Sequence, residues 1–384
     1  MNIRHLLSLL LAAMLGCAVS KAQSLSIDHG PYLQDVTTDR ATFVFTTSKR
    51  SVAYVELYSA TDTLRFYQQQ DGLRAADTTF FAIKAEGLQP ATRYSYRIHA
   101  KEIKRFRPYK VEFGTDTVSA QYSFTTLNPR QRGSSLFATA DMHDRPGVLA
   151  NLLRACDYES CDAFFFVGDM MSYMERKGHS PFTAFIDTCV SLFATEKAFQ
   201  WVRGNHETRG DLARHFSRYA PQSSGHIYGA QRIGDAIVIM LDVGEDKSDR
   251  HEVYAGLIDF DAYRTEQAEW LRKVVRSKEF KQAKYRIVMS HFPIYGFAGI
   301  DDWKGCQDAY LKFMPILNAA KIDLMISGHT HRLHYTPAQH DDNRYPVLEQ
   351  GHKNATRLDL SDGNIRISVR NAEGKEVFSQ TIER

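Results

Sequence analysis

Apolar and polar residues change their rhythm once along this chain, near residue 130. Before that point the stretches 40–47, 52–58, 93–98 and 121–125 alternate with period two, as strands with one buried face do. Several short strands separated by turn residues indicate a β-sandwich over residues 23–128. Asn128-Pro129-Arg130-Gln131-Arg132-Gly133 reads as a linker. From 133 to 384 strands alternate with helical periodicity, which indicates α/β layering. Helices are expected over 146–155, with Pro146 suited to a first turn, and over 182–194, 266–276 and 310–320, where Pro315 threatens an interruption. The tail returns to strands at 346–350, 355–360, 364–369 and 376–382, so the second half carries a second sheet built partly by its C-terminus.

Five apolar runs in the second half share one grammar: each ends in a ligand-type side chain. Phe164-Phe165-Phe166-Val167 runs into Gly168-Asp169, and Leu136-Phe137-Ala138-Thr139-Ala140 into Asp141-Met142-His143. The run 199–203 precedes Gly204-Asn205-His206-Glu207, the run 285–290 precedes His291, and the run 322–327 precedes Gly328-His329-Thr330-His331. Parallel strands place their carboxyl ends on one rim, where α/β sheets bind ligands. A rim of carboxylate, carboxamide and imidazole without cysteine suits Zn, Mn or Fe. The ligand supply exceeds one ion, which implies two, with Asp169 bridging.

The formal charge of +3 over 384 residues implies neither a nucleic-acid tail nor a membrane-surface patch, so stable nucleic-acid binding is not expected. Residues 1–22 read as a signal peptide, with a basic start, an apolar run too short to span a bilayer and small residues before a cleavage after Ala22. Lipidation at Cys17 ranks second, because Met14 is unusual at the start of that signal. Export, periplasmic or extracellular, is the expectation, and export permits disulfides. Cys156 and Cys161 offer a pair; four buried thiols, including Cys189 and Cys306, are the other reading.

The ordered motifs Asp141-x-His143, Gly168-Asp169, Gly204-Asn205-His206-Glu207, His291 and Gly328-His329-x-His331 resemble the calcineurin-like metallophosphoesterase superfamily. The resemblance implies a four-layer α/β/β/α domain holding two divalent ions. One ion would take Asp141, His143, Asp169 and His331, and the other Asp169, Asn205, His291 and His329. A hydroxide bridging the ions would attack phosphorus, His206 would protonate the leaving oxygen, and Glu207 would orient its neighbours. Pro31-Tyr32-Leu33-Gln34 and the strand after it look like the N-terminal domain of purple acid phosphatases, and 88–96 resembles a fibronectin type III strand entry. Two departures stand out: His143 replaces the glycine of Asp-x-Gly, and Ser172 stands where a tyrosine ligand is expected, Tyr173 falling one position late. The resemblance therefore implies a colourless Mn, Zn or Fe(II) enzyme acting on a small phosphorylated substrate. Phosphomonoester hydrolysis comes first; phosphodiester hydrolysis, or a binding protein with a vestigial metal site, are the alternatives.

Secondary candidates are weighed against plainer roles. Asp242 to Asp246 sits at the same rim, against a solvated strand end, and 243–263 offers a lid, against a packed loop. His226, His251 and Tyr295 are candidate pocket residues, and Arg209 and Arg214 offer phosphate contacts, against surface or core duty. Trp201 is expected in the core, Trp303 in loop packing, and His179, His334 and His352 in structural roles.

Overall fold

The computed structural model describes residues 24–60, 62–176, 180–222, 224–295, 303–339 and 342–383. The expected leader 1–22, Cys17 and His179 lie outside the described residues. Among the described residues no helix is long and apolar enough to cross a membrane.

The N-terminal region is strand-rich, organised by the 19-residue strand Arg40–Tyr58. Its first half pairs with Ile27–Gln34 and Thr78–Glu86, and its second half with Thr63–Phe66 and Arg93–Arg107. One sheet is thus folded over itself around Phe43, Phe45, Val55, Leu57, Phe81, Tyr96 and Phe124. Tyr94 accepts from the backbone N–H of Gln89 at 2.9 Å, pinning the entry of its strand. This region is fastened to the rest. Tyr32 donates to the carbonyl of Tyr219 at 2.8 Å, Tyr96 to that of Thr195 at 2.8 Å, and Tyr32 and Val44 share one buried cluster with Phe164, Phe182 and Phe199.

The second half holds two six-stranded sheets. In the first, Phe199–Val202, Ala163–Val167 and Ser134–Thr139 run parallel, and Asn354–Ser361, Asn364–Asn371 and Glu376–Glu383 extend it antiparallel. In the second, Ala236–Leu241, Tyr285–Ser290, Leu324–Ser327 and Val347–Gln350 run parallel between Gly229–Ile233 and Leu333–Thr336. The continuous apolar run at 164–167 now has its reason. Phe164 and Phe166 face the helical layer of Pro146–Ala155, whereas Phe165 and Val167 face the other sheet, so neither side meets water. Phe260–Val274 and Lys304–Ala319 cover the second sheet outside, giving helix, sheet, sheet, helix.

Several boundaries depart from the sequence expectation. Phe260–Val274 begins six residues before the expected 266, so residues 260–263 of the expected lid are the first turn of a packed helix, with Phe260 buried. Pro315 lies inside Lys304–Ala319 without ending it. The tail divides between the sheets: Val347–Gln350 joins the second, as expected of a sheet built partly by the C-terminus, and the last three strands extend the sheet that carries Asp169. All four described cysteines are free, buried thiols, so Cys156 and Cys161 do not pair.

Candidate metal centre

Parallel register carries the first three motifs to adjacent ends: Thr139 lies beside Phe166, and Val167 beside Val202. Backbone bonds knit the loops that follow. Asp141 N–H donates to Gly168 O and His143 N–H to Asp169 O, each at 3.0 Å, while Gly328 N–H reaches His291 O at 3.0 Å from the second sheet. Glu207, fully buried, ties two loops together: one oxygen accepts from Asp169 N–H at 2.9 Å and Gly204 N–H at 2.8 Å, the other from Met171 N–H at 3.0 Å. Burial and the nearby Asp169 push its carboxyl up to about 7, against the Met171 and Asp169 N–H donors and the charge on His291. Arg145 holds the carbonyls of Met142 and Asp141 at 2.6 and 2.7 Å. Gly204 has to be glycine, because a Cβ there would collide with the Asp169 carboxylate.

Five of the seven ligand-type side chains stand on left-handed backbone. Asp141, His143, Asp169, His329 and His331 have φ of 57°, 44°, 51°, 70° and 58°. Non-glycine residues rarely adopt this left-handed region, and such strain gathers at functional sites.

Two groups result. In the first, His331 Nε2 lies 3.4 Å from Asp141 Oδ1 and 3.4 Å from His143 Nε2. In the second, His291 Nε2 lies 3.2 Å from Asp169 Oδ2, and one end of the Asn205 carboxamide lies 3.3 Å from that oxygen, 3.1 Å from His291 Nε2 and 3.2 Å from His329 Nδ1. Within each group the Asp and His atoms fall within 4.8 Å of one another. His291 donates through Nδ1 to Val167 O at 2.8 Å, which aims Nε2 at the centre. In the second group the Asp169 carboxylate and the imidazole nitrogens of His291 and His329 face a common point, within hydrogen-bond distance of one end of the Asn205 carboxamide. A divalent cation fits this donor set, with the carboxamide oxygen turned inward. Protons answer the same need: against its burial, the Asp169 carboxylate lifts His291 to about 10, while burial and the charge on His291 lower His329 to about 4.

His206 stands beside both groups. Its N–H donates to Asp169 Oδ1 at 2.9 Å, its Nδ1 to Ser172 O at 2.9 Å, and its Nε2 lies 3.9 Å from Asp169 Oδ2. A third cluster, His143, Asp169 and His206, also has metal-ligand proximity.

The secondary candidates divide. Asp242 is buried and spent on Arg203 at 2.7 Å and Tyr263 at 2.7 Å, so it is neither solvated nor turned to the centre. His226 stacks on Tyr228, His251 accepts from Val253 N–H, Tyr295 is engaged with Glu349 and Thr336, and Arg214 donates to Leu257 O. Trp201 is core, as expected. Arg209 is no surface charge: it reaches His206, Glu245 and Tyr254. Trp303 and His352 are expected only in packing and structural roles, yet Trp303 lies 4.6 Å from the His329 ring, and His352 Nδ1 is 3.1 Å from the His331 carbonyl. Contacts between such distant loops leave no mark in local sequence.

A sequence model of calcineurin-like phosphoesterases matches residues 135–333, more than half of the chain. The chain belongs to the calcineurin-like phosphoesterase family. A search of curated protein sequences returns no match. Among solved structures the chain is similar to the purple acid phosphatase PPD1 from yellow lupin (Lupinus luteus) seeds, with TM-score 0.65 and 15% identity over 94% of this chain and 74% of that one. At that identity the likeness is one of fold, and it takes in the strand-rich N-terminal region. A putative 5'-nucleotidase from Staphylococcus aureus (TM-score 0.38, 15% identity, 65% of this chain and 53% of that one) and the protein TT1561 of Thermus thermophilus (0.39, 12%, 65% and 99%) match too weakly to add to the argument.

Proposed function

We propose that this phosphoesterase is an exported, metal-dependent phosphohydrolase acting first on small phosphomonoesters. The observation that carries it is the convergence of Asp141, His143, Asp169, Asn205, His291, His329 and His331 from five strand ends into two ligand groups, with His206 beside them. Asp141, His143, Asp169 and His331 would hold one divalent ion, and Asp169, Asn205, His291 and His329 the other. Such a pair, when bound, polarises a phosphoryl group and makes water a competent nucleophile near neutral pH. The remaining work falls to the chain. Ser172 O accepts the Nδ1–H of the His206 ring so that Nε2 faces the centre and, in the imidazolium form protonated from solvent, can pass a proton to the leaving oxygen. Glu207 keeps Asp169 in register. Two carboxylates against two divalent ions leave the pocket positive, which favours phosphate oxygens.

The whole-chain likeness to a purple acid phosphatase supports monoester over diester substrates. His143 stands in the first group, and Ser172 offers no phenolate, which supports a colourless Mn, Zn or Fe(II) centre. The folded-over strand region supports a fibronectin type III-like domain over 23–128 before a catalytic domain over 133–384. The leader pattern supports export. The test is metal analysis of protein purified without chelator, followed by phosphate release from aryl phosphate and bis-aryl phosphate. Metal-dependent turnover, higher on the monoester, is expected. A metal-free protein inactive on both esters with Mn, Zn and Fe(II) added would overturn the proposal.

A further inference from the structure

We propose that Arg209 is an anion-binding residue of this centre and makes it prefer phosphomonoester dianions to diester monoanions. The inference rests on the phosphohydrolase reading above. A guanidinium has two usable edges. One edge of Arg209 is fixed: Nε lies 3.3 Å and Nη2 3.1 Å from the two oxygens of Glu245, and Nε is 3.3 Å from Tyr254 OH. Glu245 is fully buried and is itself held by Thr208 Oγ1 at 3.1 Å and Asp246 N–H at 2.9 Å. The other edge faces the centre. Nη1 donates to His206 Nε2 at 3.2 Å, and Nη2 lies 2.9 Å from the second end of the Asn205 carboxamide.

Both inner partners are needed elsewhere in the working centre. If the Asn205 oxygen faces a cation, its NH2 faces Nη2, and two donors confront each other with no acceptor between them. His206 Nε2 must serve the leaving oxygen, so Nη1 also loses its acceptor. The inner edge of Arg209 is then a fork of charged donors, rigidly held and open toward the place of reaction. Nonbridging phosphoryl oxygens fit that fork, and charge-assisted fork contacts are the strong ones. A monoester dianion offers three such oxygens and two charges; a diester offers two and one. Arg209 therefore contributes most to monoesters.

The test uses the Mn-loaded protein and three variants: Arg209→Met, Arg209→Lys, and Arg209→Met with Glu245→Gln. The double variant removes the buried Glu245 carboxylate that Arg209→Met alone leaves without its guanidinium partner. Melting curves identify the folded variants. Calorimetric titration with inorganic phosphate reads binding, and kcat/KM is compared on aryl phosphate and bis-aryl phosphate. Loss of the fork should weaken phosphate binding and monoester kcat/KM roughly 10- to 100-fold, as expected for a hydrogen bond to a charged group. Diester kcat/KM should fall by less than about threefold, and lysine, a single point donor, should restore only part of the loss. A folded double variant with wild-type phosphate affinity, or with equal losses on both esters, would overturn the proposal. If the wild type cleaves neither ester, the phosphohydrolase reading fails, and the phosphate titration alone decides for or against Arg209.

Discussion

The two halves of the candidate metal centre are built from similar side chains but set at different depths. On the deep side, Asp169, Asn205 and His291 are buried. His291 is tied to Val167 O, Asp169 to Glu207 through its N–H and to His206 through its carboxylate. On the shallow side Asp141 is buried, but the His331 side chain is 48% exposed, and His352 meets it through the His331 backbone carbonyl and a tilted ring contact. Ligands with second partners are oriented before a metal arrives. The deep half should therefore hold its ion tightly, and the shallow half should exchange ion and solvent.

The largest break in this comparison is Asp169→Asn, which removes the one carboxylate proposed for both halves. Both ions should be lost and turnover should fall by about a thousandfold or more, the worth of several kcal/mol of Lewis-acid stabilisation. Elemental analysis beside an aryl phosphate assay checks it, and one retained ion per chain would show that Asp169 is not shared. His206→Ala comes next: both ions stay while kcat falls about 10²- to 10⁴-fold. An emptied centre would instead make His206 a ligand, as its cluster with His143 and Asp169 would allow.

His331→Ala and His291→Ala separate the halves directly. After brief chelator treatment, His331→Ala should keep one ion per chain, whereas His291→Ala should lose the ion that resists chelator in the wild type. Identical losses would erase the difference in depth. Glu207→Gln places an NH2 against backbone donors that now meet a carboxylate. Denaturant unfolding should show about 1–3 kcal/mol less stability, the cost of unsatisfied buried donors. The smallest effect concerns protons. His291 is held at about 10, above the ordinary 6.5 of histidine, so at pH 7 a cation must displace its proton. Metal affinity of the deep half should rise with pH, about tenfold per unit for one displaced proton. Calorimetry in buffers of different ionisation enthalpy counts that proton.

Much of the centre was legible because each proposed ligand follows an apolar strand, and parallel sheets bring strand ends together whatever their separation in sequence. Asp141, Asp169, Asn205, His291, His329 and His331 needed only that rule. Arg209 and the run holding Glu245 stood out only as candidates, and the contacts of Trp303 and His352 were hidden, because their partners come from loops far apart in the chain. The early start of Phe260–Val274 was masked by its polar buried face. Arg264 is fully buried and paired with Asp261 and Asp308, and Gln267 is bonded to the backbone of Asp242. Polar residues satisfied inside a protein erase the periodicity that marks a helix. Pro315 sits in the helix interior despite the cost of a lost N–H, and the burial of Phe313, Ile316 and Leu317 around it shows packing overriding local preference. In the N-terminal region, Ile27–Gln34 is not legible as a strand because Gly30 and Pro31 interrupt its alternation.

The account stands or falls on where metal binds. Anomalous diffraction from crystals grown with Mn should show two peaks about 3.5–4 Å apart, one on each side of Asp169, as expected for a two-metal site. A single peak, or peaks away from Asp141, Asn205 and His331, would contradict it.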